Sequence, residues 1–225
     1  MSINPIGHTH SIPPSSSSLT PQQKQELLHL YATLMGIAGA MADGGGLIAP
    51  SAATPLNQLQ SLIAQLQQQL PNPAAQELLS QASNLLFNNP NNNAASNYQE
   101  GAYQLAANQT SLAAQDVKQA MTISGLTPTP SLFKNPGDVI DLIYGMSYTF
   151  SVQAGQYPPV AGVQQAIEAQ LLPLLNNPAI AGMKNSQLKQ AEALIYDATK
   201  CSQGEIAVNL QGAMVSFEQS GLLFT

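Results

Sequence analysis

The sequence predicts an all-α protein, an irregular antiparallel helical bundle of about seven helices behind a disordered amino-terminal tail. Three observations carry that prediction. Apolar residues recur at three- and four-residue spacings along most of the 225-residue chain, the period of helices that each turn one face to a core. Thr-Pro or Asn-Pro pairs stand before several of these stripes, a polar cap followed by the proline that a first helical turn tolerates. Segments that read as strands are confined to short pieces such as residues 148–152, which fit a helix end equally well.

Residues 1–19 combine Ile-Pro, Pro-Pro and a four-serine run without hydrophobic periodicity. Burial cannot offset the ordering entropy of such a segment, so it reads as a tail, and residues 20–225 read as one helical domain. Thr20-Pro21 opens the first helix, with Leu27, Tyr31, Leu34, Ala38 and Met41 on one face. Gly44-Gly45-Gly46 ends it after Asp43 and reads as a flexible hinge. Thr54-Pro55 opens a stripe of Leu56, Leu59, Ile63, Leu66 and Leu70, which Pro71 closes. Asn72-Pro73 opens the next, carrying Leu78, Ala82 and Leu85 into the turn-rich NNPNNN of residues 88–93.

From Ala94 to Ser124 a single long helix is expected, with Tyr98, Ala102, Leu105, Leu112 and Met121 near one face, stopped by Gly125 and Pro128. Asn135-Pro136 starts a helix bearing Val139, Ile143, Met146 and Phe150. Pro158-Pro159 starts another, bearing Val163, Ile167, Leu171 and Leu174, in which Pro173 should kink or fray the last turn. The last segment runs from Ser186 through Leu188, Ala191, Ile195 and Ala198, weakens at Gly204, and resumes through Ile206, Leu210 and Met214 to Phe217. The stripes follow no fixed period, which favours a bundle over a solenoid.

Charge is scarce. The chain has no arginine, six lysines and a charged fraction of 8%, against about 25% in an average soluble domain. Asn and Gln, about a fifth of the residues, supply the polarity instead. With a net charge of -6 and lysines placed singly, there is no basic patch to release counterions from nucleic acid or to rest on an anionic bilayer. The longest uncharged apolar stretch, Leu30 to Ala42, falls short of the roughly twenty residues that span a bilayer, so no transmembrane segment is expected. The first residues also lack the cationic start and apolar core of a secretory signal peptide.

Few residues offer chemistry. His8 and His10 lie two apart in the tail without a third or fourth metal ligand nearby. His29 stands between Leu28 and Leu30 and reads as a partly buried helix residue. Asp138 and Asp141 fall in the first turns after Asn135-Pro136, where the helix dipole alone accounts for acidic residues. Lys189 with Glu192, and Asp197 with Lys200, read as surface pairs at i,i+3. Cys201, the only cysteine, reads as a small semi-buried residue. No nucleophile elbow, phosphate loop or HExxH motif is present, so the sequence offers no catalytic, cofactor-binding or metal residues, and a non-enzymatic role is expected.

The opening MSINPIG, followed by uncharged Ser- and Pro-rich sequence, resembles the starts of proteins exported by the type III secretion machinery of chlamydiae. The ending FEQSGLLFT, after a helix with Val208, Asn209 and Leu210, is similar to the helical ends of some of those proteins. The resemblance implies a helical virulence protein secreted by, or associated with, a type III system, cytoplasmic before export through its unstructured amino end. Its partner would be a protein such as a secretion chaperone or a host protein. The alternative is a self-assembling homo-oligomer, in which the alanine face of Ala102, Ala106, Ala113 and Ala120 lets a neighbour approach closely. An enzyme with a cryptic site is the third class.

Overall fold

Asparagine and threonine caps set where the helices begin. The protein is seen in a computed structural model that describes residues 18–42, 49–90, 92–155, 164–183 and 185–220, and no strand occurs among them. At the first start, Thr20 and Gln23 bond reciprocally, each side chain accepting the other's backbone N–H at 3.2 and 2.9 Å. This is a capping box. The side chains of Asn72, Asn93, Asn135, Asn177 and Asn185 each accept a first-turn N–H at 2.9–3.1 Å. Neutral amides thus satisfy helix ends where other proteins place acids.

The helices are α1 (Pro21–Ala42), α2 (Ala49–Gln69), α3 (Pro73–Ser83), α4 (Ala94–Gln99), α5 (Tyr103–Ile123), α6 (Pro136–Gly155), α7 (Leu172–Leu175), α8 (Pro178–Ala181), α9 (Ser186–Ala198) and α10 (Gln203–Gln219). Among the described residues there are therefore ten, against the seven expected. The surplus has local causes. The long segment from Ala94 divides at Gly101, whose φ of 81° only glycine adopts freely. Gly101 N–H then bonds to Tyr98 O at 3.2 Å and Ala102 N–H to Asn97 O at 2.8 Å. Gly125, φ 78°, repeats the pattern after α5, with Gly125 N–H to Thr122 O at 3.0 Å and Leu126 N–H to Met121 O at 2.8 Å. Both are Schellman closures, and the second buries its Met121 and Leu126 contact.

Other boundaries also move. α2 begins at Ala49, so Pro50 occupies its first turn and Pro55 lies inside it. Pro173 lacks the N–H that would bond Ala169, and the chain passes through a π turn, Ile167–Leu171, immediately before α7. The last segment breaks at residues 199–202 rather than at Gly204. Leu19 is buried in the core, so the ordered chain reaches beyond the expected edge of the tail. Residues 1–17, Gly44-Gly45-Gly46 and Pro158-Pro159 lie outside the described residues.

Packing is organised around two helices. α1 packs on α2, α5 and α6, and α6 packs on α1 and α10, while α10 pairs with α9. Residues 30–39 of α1 and 137–147 of α6 are buried on every side, the signature of helices enclosed by others. The uncharged stretch from Leu30 was the sequence's trace of this central position. In α2 the expected stripe of Leu56, Leu59, Ile63, Leu66 and Leu70 is buried throughout. In α3 the stripe shifts by one residue, so Ala75, Leu79, Ala82 and Leu86 face inward while Leu78 and Leu85 are only partly covered. In α5 alanines make up five of the nine buried residues, and Leu105 and Leu112 point out.

Candidate functional site

Close backbone contact between α1 and α6 creates the most distinctive surroundings for titratable groups. An added Cβ on Gly36 would stand 2.7 Å from Asp141 Cβ. One on Gly39 would fall on the Tyr144 ring, and one on Gly145 on the Met35 carbonyl. Tyr144 donates its hydroxyl to Gly39 O at 3.2 Å. His29 meets Asp138, and further along both helices Met35, Gly36 and Gly39 meet Gly145, Asp141 and Tyr144. The two therefore run in the same sense, as a pair separated in sequence by four other helices.

At the amino-terminal end of this seam His29 Nδ1 donates to Asp138 Oδ1 at 2.9 Å. The imidazole is half exposed, whereas Asp138 and Asp141 are 7% and 5% exposed. The hydrogen bond to Asp138 raises the His29 pKa above its ordinary value, opposed by burial and aided by the charges of Asp138 and Asp141. The dipole explanation of the two aspartates is thus incomplete. Asp138 does lie in the first turn of α6, but it also holds a residue 109 positions away in the chain. Sequence spacing does not show that pairing, because it depends on how α1 crosses α6.

Chemically, this arrangement clamps two helices. His29 bonds to no hydroxyl or thiol among the described residues, and the hydroxyl of Thr33, one turn on, is buried without a hydrogen-bond partner. No group of three His, Cys, Asp or Glu side chains among the described residues is placed to hold a metal ion. His8 and His10 lie outside those residues. Cys201 is half buried, and its Sγ accepts from Asn209 Nδ2 at 3.3 Å. The expected pairs of Lys189 with Glu192 and Asp197 with Lys200 do not close to ion-pair distance. Instead Lys200 Nζ stands 3.9 Å from the centroid of the Tyr196 ring, where the ring face attracts the ammonium.

Beside the seam lies a cavity of about 80 Å³. Phe133, Leu142, Met146 and Leu174 form its apolar wall, and Tyr31, Lys118, Thr129 and Gln170 add polar side chains. Burial pushes the Tyr31 hydroxyl up to about 12, so it remains a protonated donor at neutral pH. By spacing alone Tyr31 reads only as a core position. Its place in a cavity wall becomes visible once the 126–133 segment is seen to fold between α5 and α6.

The third feature is the outer edge of α5. Leu105, Leu112 and Ile123 are 44%, 49% and 44% exposed, and their spacing sets them along one side of the helix over about 27 Å. Asp116 lies on the same edge, and partial burial raises its carboxyl pKa. Ala106, Ala113 and Ala120, about a quarter turn round the helix from that row, are fully buried, and α5 packs on α1 and α3. Close approach to alanine is thus used inside the fold.

No protein-family model, curated protein or solved structure matches the chain. No helix among the described residues is long and apolar enough to cross a membrane.

Proposed function

We propose that this chain is a non-enzymatic helical interaction protein that docks a protein partner, such as a secretion chaperone or a host protein, along the outer edge of α5. The observation that supports this reading is the apolar row of Leu105, Leu112 and Ile123, left facing solvent while alanines fill the interior. Rows of large apolar side chains on one exposed helix edge are the common anchors of helix-mediated recognition. The amino-terminal likeness to type III substrates supports a link to a type III secretion system, with the protein cytoplasmic before export. Self-assembly through the same edge is the alternative reading.

A photoreactive benzoylphenylalanine at position 112 tests this in a type III-competent bacterium. A crosslink to a distinct protein, lost in Leu105→Ser/Ile123→Ser, is the expected result. A crosslink at twice the chain's own mass, with a dimer by light scattering, favours the homo-oligomer. No crosslink at all rejects the edge as a docking surface. Separately, residues 1–17 fused to a reporter should direct its secretion, and retention of the reporter in the cell would reject the secretion reading.

A further inference from the structure

We draw no further inference here: the strongest candidate, the surface patch of Val208 and Val215 on the outer side of α10, 68% and 42% exposed, is an unpartnered apolar face, and nothing in the structure shows what covers it.

Discussion

The seam between α1 and α6 and the hairpin of α9 with α10 are both helix pairs, but they are assembled on opposite principles. In the hairpin, Leu188, Ala191 and Ile195 of α9 and Ile206, Leu210 and Phe217 of α10 are buried, and each helix keeps a solvated side. Its glycines are undemanding. A Cβ at Gly204 meets nothing within 4 Å, and one at Gly212 stands 3.2 Å from a terminal methyl of Leu194. In the seam the glycines are positions where backbones or rings already occupy the space of a side chain. Side-chain volume holds the hairpin together, whereas absence of volume lets the seam close. The hairpin should therefore be damaged by removing atoms and the seam by adding them.

The largest effect expected of that contrast is on the hairpin side. Ile195→Ala removes a fully buried side chain and should cost about 2–4 kcal/mol in denaturant unfolding. A loss below about 0.5 kcal/mol, the size of a surface change, would mean the hairpin is not a packed unit. In the seam, Gly145→Ala sets a methyl against the Met35 carbonyl, a backbone atom that cannot swing aside. It should cost about 2–3 kcal/mol, the upper part of the range for overpacking. A neutral outcome there would show that α1 and α6 separate easily, and the comparison would fail.

The two regions should also answer pH differently. His29 gains its partner on folding and its pKa is raised above 6.5. Its contribution is therefore fully present below the unfolded value and is lost as pH rises through the folded one. Because the imidazole is half exposed, screening keeps this under about 1 kcal/mol. The stability difference between the natural chain and His29→Gln should be larger at pH 6 than at pH 9, by chemical denaturation at both. In the hairpin, Ser202 donates to Glu205 Oε2 from its N–H at 2.9 Å and its hydroxyl at 2.7 Å, lowering the Glu205 pKa. That contribution is present above the unfolded carboxylate value and fades as pH falls through the folded one. Glu205→Gln should thus lower stability in the neutral range and flatten the acid-side dependence, the difference from the natural chain shrinking as pH falls through the folded value. The smallest expected effect is a gain. Gly204→Ala in α10 should stabilise by about 0.5 kcal/mol, since helix propensity favours alanine and nothing opposes the added methyl.

Legibility divides along the same line. The hairpin's buried positions Leu188, Ala191, Ile195, Ala198, Ile206, Leu210 and Phe217 follow from spacing alone, because a helix with one covered side writes its period into the sequence. So do the starts at Thr20, Asn72 and Asn135, where the cap and the proline after it are local devices. The division at Gly101 was signalled only by a glycine within an otherwise helical run. Leu105 and Leu112 were misplaced because large apolar residues are ordinarily assigned to the core. Here the alanine face of α5 is inside, since only small side chains allow α1 and α3 to approach so closely.

By itself the sequence determined the helical class, most helix starts, the closure at Gly125 and the scarcity of charge. Each depends on neighbours within a turn or two, and the charge-poor, amide-rich composition reappears as asparagine caps and as the contact in which Asn97 and Gln109 bond at 2.7 Å. Only the tertiary structure decided that α1 and α6 lie side by side in the same sense, that Asp138 holds His29, and that Tyr31 and Lys118 share a cavity. Those contacts join residues separated by up to 110 positions, Met35 with Gly145. Their geometry depends on crossing angles and on the volume left by glycines, and neither quantity is encoded in periodicity.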